Sequence, residues 1–412
     1  MINKNEREII RELAKKVAAI ASTDEMAQLR KEWARHNDLE QGRPMLLFFP
    51  EGSWGEILPD SVLKCDSVEA RAIEWQLRST IFAHEHFDTD NVVSPYWDMQ
   101  KTIHNTGFGL EGKTHASSEA RGAWGFEPII STPDDLKKIK TPVISVDEED
   151  SKQRLEMMNE LIGDIYPVRM RGVNHISFHL MGIYTRWRGL TETFMDMYEE
   201  PEMLHEAMSI MEKAHHSMIQ QYIDLNLLAT NNDHTYHNSG GYSFTNQLPR
   251  PDFNPDKVRP CDMWASAEAQ EMALVSPEQH DEFILQYEKR LMAPFAVNGY
   301  GCCEDLTKKL DIVFTIPNIR RVSVSPWADP KVCAEKMQGN YILSWKTHPA
   351  HLVGHFDEKM IAEYLKSAIV ASRENGSRLE IILKDTHTCE NHPERFDQYA
   401  KIARRVMAEN WE

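Results

Sequence analysis

Apolar residues recur at helical spacing from the start of the chain. Ile9, Ile10, Leu13, Val17 and Ala18 predict an amphipathic helix over residues 4–20. Ser22 with Glu25 three positions on is a capping-box pattern and predicts a second helix to about His36. The period then changes. Pro44 to Pro50 encloses a short apolar run, read as a buried first strand, with Glu51, Ser53, Trp54 and Glu56 in the loop after it. Val68, Ile73, Leu77, Ile81 and Phe82 return to helical spacing across 66–86. Further short apolar runs at 90–97, 166–170, 227–230, 294–297, 319–325, 340–344 and 379–383 predict strands, and 141–145 is extended. Helical stretches separate them, including one opened by Pro201, others at 277–292, 305–313 and 357–374, and a last one from Pro393. Gly107, Gly109, Gly112, Gly122 and Gly125 mark an excursion within 100–130, and 239–259 reads as a long loop.

Strand followed by helix, repeated without a break in composition, predicts parallel strands with helical crossovers. The fold class expected is α/β, a TIM (β/α)8 barrel with an N-terminal helical extension: residues 1–40 as helices packed outside, 41–412 as the barrel. A doubly wound open sheet is the alternative, but no G-x-G-x-x-G or Walker-type phosphate loop is present.

Composition narrows the function classes. The 412 residues include 46 basic and 64 acidic side chains, a formal charge of -18, which argues against nucleic-acid or anionic-membrane partners. No apolar run approaches the ~20 residues of a membrane span. The opening MINKNEREII lacks the features of a signal peptide, so a cytoplasmic location is expected. In a reducing compartment the six cysteines are expected as thiols. A homodimer is compatible with all of this.

The candidate chemistry follows predicted strands in three places: Cys302/Cys303/Glu304, Trp345/Lys346/His348 and Asp385/His387/Cys389. Strand ends are neighbours around a barrel mouth, so these groups are candidate partners. Thiolates with a carboxylate suit zinc, at ~2.3 Å to sulfur and ~2.0–2.2 Å to oxygen or nitrogen. Cys302, Cys303, Glu304 and Cys389 are the candidate metal ligands, and Glu304 and Asp385 the candidate catalytic carboxylates. His234, His237, Trp264, Trp345 and Lys346 are candidate substrate-binding residues. The plainer readings are that free cysteines fill the core as small hydrophobes and that tryptophans do the same.

Segment by segment the chain resembles the uroporphyrinogen decarboxylase superfamily from about residue 40 onward. The segments are RPMLLFFPEGSW, DTDNVV, VRMRGVNHISFHLMG, LLATNNDH, YGCCEDL, RRVSVSPWADP, YILSWKTHP and LEIILKD. The resemblance implies a TIM barrel and one of two chemistries. The tetrapyrrole decarboxylases carry an arginine-rich segment after the first strand, where this chain has Phe49-Pro50-Glu51-Gly52-Ser53-Trp54. The corrinoid-linked zinc methyltransferases typically show His-x-Cys where this chain has Gly301-Cys302-Cys303-Glu304, and a Cys after the last strand near Asp385 and Cys389. The set looks more like the O-demethylase-type members. That implies a methyltransferase moving a methyl group from a small methoxylated donor, such as a phenyl methyl ether, to the cobalamin of a separate corrinoid protein, with zinc as Lewis acid. A decarboxylase, or a non-catalytic corrinoid or tetrapyrrole carrier, is the alternative.

Overall fold

The structure is a computed structural model and describes residues 2–112, 114–115, 125–237 and 239–411. Gly122 of the glycine-rich excursion lies outside them. Helix α1 (Lys4–Ala21) opens with a reciprocal capping box between Asn3 and Glu6. Thr23, not Ser22, caps helix α2 (Asp24–Asn37). The reason is that α1 runs on through Ala21, so Ser22 is still closing it with its own N–H. The apolar stripes of both helices (Ile10, Leu13, Val17, Met26, Trp33) share one cluster with Met45 and Leu47 of the first strand.

The elements that position the site are strand β1 (Met45–Phe48), helix α3 (Val68–His86), and strands β2 (Trp97–Gln100), β3 (Val168–Arg171), β4 (Ser177–Phe178), β5 (Trp264–Ala267), β6 (Val297–Tyr300), β7 (Ile319–Val324), β8 (Ile342–Lys346) and β9 (Arg378–Leu383). Seven of the strands form one parallel sheet in the order β1-β9-β8-β7-β6-β5-β4. The protein is therefore α/β around a parallel sheet, an arrangement compatible with a TIM-like barrel.

The expected closed ring of eight strands is not drawn by these ladders among the described residues. β2 and β3 pair only with each other. At the free edge of β1, the Asp90 N–H bonds Leu46 O at 2.8 Å, and the Asp90 carboxylate takes the Leu46 N–H at 2.7 Å. A side chain thus uses the donor that a ladder would need, and Pro95 has no N–H to offer. The predicted strand at 227–230 is reduced to one bridge, Val173 with Leu228. Trp-Ala-Ser-Ala at β5 is the converse: a strand that its short, small side chains concealed. The predicted helix at 305–313 is helical only over Leu310–Val313. Ile144–Asp147 is extended as expected, but pairs antiparallel with Thr102–Asn105, off the main sheet.

Alternate residues of the strands point to the inner face of the sheet. There Arg321 and Glu380 form a fully buried ion pair at 3.0 Å. Residues 236–237 and 239–242 fill the space around it. Arg321 Nη2 donates to Tyr242 O at 2.9 Å and to Asn37 Oδ1 at 2.6 Å. A side chain at Gly240 would meet Ser344 Oγ at 1.7 Å, and one at Gly241 would meet Glu380 Oε2 at 2.2 Å; both glycines also have positive φ. Among the described residues no helix is long and apolar enough to cross a membrane.

Candidate active site

The C-terminal ends of the parallel strands face one side of the molecule, and the candidate chemistry gathers there. β6 ends at Gly301, with φ +90, where an added side chain would press on Leu306 at 2.6 Å. The chain turns at this glycine and presents Cys302 and Cys303. Glu304 folds back beneath them, its Oε2 accepting the Cys302 N–H at 2.8 Å. Ser323 of β7 donates to Cys302 O at 2.7 Å. The loop is therefore held from both sides before any side-chain chemistry begins.

The two sulfurs lie 3.5 Å apart. Cys302 is buried and Cys303 half-buried. The contact between the two thiols lowers the pKa of Cys303 and raises that of Cys302. Cys303 Sγ is 3.9 Å from Asp385 Oδ2, at the end of β9. Lys384 Nζ is 3.4 Å from Asp385 Oδ1. Burial works against the charge on Lys384, but Tyr236, the two cysteines and Asp385 together raise its pKa, so it is an ammonium at neutral pH. On the other side, His179 Nδ1 lies 2.6 Å from Glu268 Oε1. Burial tends to raise the Glu268 carboxyl, yet its bonds to His179 and Cys302 hold it below its ordinary value.

Of the residues expected at the site, the structure places Cys302, Cys303 and Asp385 near one another. The other ligand candidates are committed elsewhere. Glu304 is 1% exposed and braces backbone N–H groups, and burial raises its pKa. It is a loop brace, which corrects its assignment as a catalytic acid or metal ligand. Cys389 is also corrected: its Sγ donates to Glu56 Oε2 at 3.2 Å, and burial and Glu56 push its thiol up to about 11. Among the described residues no three His, Cys, Asp or Glu side chains come together to hold a metal ion.

The candidate substrate residues also scatter. Lys346 lies inside the sheet, donating to Ser239 O at 2.6 Å, and burial brings its pKa down to about 8. His237 and Trp264 are buried in the same interior, stacked at 6.3 Å. Trp345 faces the opposite layer, against Tyr364 at 4.8 Å. His234 lines a separate cavity of about 210 Å³ with Asp98 and Tyr242. Parity explains the misplacements: β8 turns Ser344 and Lys346 inward and Trp345 outward, so a run of three polar or aromatic residues cannot share one site. Glu268 escaped notice because β5 itself did.

No family model and no curated protein matches this chain. Among solved structures, a methyltransferase from Methanosarcina mazei aligns over 93% of this chain and 99% of its own, at 11% identity and a TM-score of 0.49. Similarity at that level identifies neither a family nor a chemistry.

Proposed function

We propose that the protein is a methyltransferase that takes a methyl group from a small methoxylated compound, such as an aromatic methyl ether, and passes it to the cobalamin of a separate corrinoid protein. The observation that carries this reading is the convergence at one end of the sheet of a thiol pair, an ammonium and carboxylates. They sit on the segments (YGCCEDL and LEIILKD) by which the sequence resembles the corrinoid-linked branch. The partner's reduced cobalamin would supply the nucleophile. This chain's task is then to hold the donor and ease the departure of its oxygen. Lys384, an ammonium beside the Asp385 carboxylate, can hydrogen-bond the departing oxygen. The His179–Glu268 pair can hold a proton beside Cys302. Trp327, 70% exposed and 5.2 Å from the ring of His348, follows β7 at the same end and offers a face to a docking protein.

Zinc, the other cofactor that the resemblance implies, does not fit the four residues as placed, because Glu304 and Cys389 already bond their own loops. The test is an anaerobic assay with reduced corrinoid protein and a panel of methoxylated aromatics, with and without added zinc. Methyl-cobalamin formation that depends on Cys303 supports the reading. Carbon dioxide release from a carboxylate substrate, without methyl-cobalamin, would replace it with a decarboxylase. Tetrapyrrole binding without either reaction would point to a carrier.

A further inference from the structure

The space inside the sheet is taken. Residues 236–237 and 239–242 occupy it, and Gly240 and Gly241 leave no room even for a methyl group beside Ser344 and Glu380. The structure offers another space, a cleft whose Glu51 accepts the N–H of Asp385, the residue next to Cys303. It runs between α3 and the segment from Phe87 to Asp98. Its first compartment, about 300 Å³, is walled by Phe49, Trp54, Phe87 and Tyr242, with Thr80 on the α3 side and Glu51 at one end. Thr80, Asn91 and Tyr242 are shared with the 210 Å³ cavity that holds His234, so the two compartments adjoin.

Three features define what fits. First, the walls are aromatic and braced: Trp54 lies 6.0 Å from Phe87, and Phe49 packs at a tilt against Tyr236, 4.4 Å between ring centroids. Such walls favour a flat ring. Second, polar groups face the cleft from both walls, Ser79 and Thr80 on α3 and Thr89 and Asn91 opposite; the Tyr242 hydroxyl donates to Asn91 Oδ1. A mostly apolar cavity with a few placed polar groups, at the small end of the ligand-pocket range, is the usual form of a small-molecule site. Its volume suits a single substituted ring and excludes a tetrapyrrole. Third, the cleft leads to the candidate chemistry. Burial, and then the charge of Asp385, raise the Glu51 carboxyl, which also accepts the Asp385 N–H. Asp385 in turn is the residue 3.9 Å from Cys303 Sγ.

We infer that this cleft binds a single-ring aromatic compound, its polar substituent at the Glu51 end and its ring between Trp54, Phe87 and Tyr242. The methoxy group on that ring rests on the methyltransferase reading; the ring and its location do not. Thr80, on the helix face, then acts as a gatekeeper of ring size.

The experiment is binding of 2-methoxyphenol and of phenol to the whole chain, without corrinoid protein, followed by titration calorimetry. Wild type is compared with Thr80→Trp, which fills the cleft from a half-buried helical position, and with Ala83→Leu as a milder filling one turn further along α3. Thermal melts verify that both fold. The expected result is binding by wild type, a loss of at least tenfold in Thr80→Trp and an intermediate loss in Ala83→Leu. Unchanged affinity in both folded variants, or no binding of either ring to wild type, overturns the inference. Its fate separates from that of the reaction. Methyl transfer that proceeds normally in Thr80→Trp leaves the reaction standing and removes the cleft. Ring binding lost in Thr80→Trp, with no methyl transfer by wild type, leaves the cleft standing and removes the reaction.

Discussion

The interior of the sheet and the mouth above it both bury charge, but they differ in who answers it. Inside, Glu380 faces Arg321 and also His36, at 3.4 Å. Arg321 is further bonded to Asn37 and Tyr242, and Lys346 to Ser239 and Ser344. Each charge meets protein. At the mouth, Cys303 and Asp385 are only partly covered, their contact is a long one, and Lys384 shares the same Asp385 carboxylate. Buried charge paired with protein specifies structure, even where an atom such as Arg321 Nη1 finds no hydrogen-bond partner, whereas charge assembled at a half-open surface is held ready for something else. Titratable residues at strand ends were thus one class in sequence and two in space.

Substitutions can break that contrast. The largest effect should come from Cys303→Ser: methyl transfer falls about a thousandfold, a loss of about 4 kcal/mol in transition-state stabilisation, while circular dichroism shows an unchanged fold. A variant that keeps its rate would move the mouth into the structural class. Glu380→Gln should do the reverse. It leaves Arg321 buried with a weaker partner and should cost about 3 kcal/mol in urea unfolding, read as a lower midpoint.

A pH series sharpens the same point. Burial alone would raise the Glu380 carboxyl, but Arg321 and His36 bring it down to about 2. A depressed carboxylate gives stability that is present above its unfolded pKa of ~4.5 and lost as pH falls toward 2. The stability gap between wild type and Glu380→Gln should therefore shrink by about 2 kcal/mol between pH 7 and pH 3. A constant gap would mean that the pair does not stabilise through its charge.

Smaller effects test the loop. Glu304→Gln retains one acceptor but weakens the brace under Cys302. It should reduce turnover about tenfold, or about 1.4 kcal/mol, and change the alkylation rate of Cys303, which a merely remote defect would not. Cys389→Ala should cost about 1 kcal/mol of stability and leave turnover intact. Activity lost as fully as in Cys303→Ser would restore Cys389 as a ligand and the fourfold set with it.

Much of the frame was legible because it is written in period. Helical stripes at α1 and α3 and apolar runs at β1, β7, β8 and β9 read directly as elements, while the run at 294–297 falls ahead of β6 and shares only Val297 with it. The run at 90–97 failed because Asp90 replaces a backbone partner, which periodicity does not encode. The run Trp264–Ala267 failed because small residues give no apolar signal, and Glu268 was lost with it. Within the site, adjacency was readable but direction was not. Cys302 and Cys303 come together with Asp385 because strand ends converge, whereas Glu304 and Cys389 turn away to bonds with Ala269 and Glu56 that only the folded loops create.

The filled interior also constrains when the molecule can be finished. Asn37, Tyr242, Arg321 and Glu380 meet there from four widely separated stretches of chain. Contacts of such long sequence separation close large loops before they reward them, so folding should be slow for its size. During synthesis the hairpin of residues 236–237 and 239–242 must wait for β7, and then for β9, before its glycines find Ser344 and Glu380. Until the last forty residues emerge, its inner face stays open, and a chain truncated before Arg378 should depend on chaperones or aggregate rather than stop at a stable smaller domain.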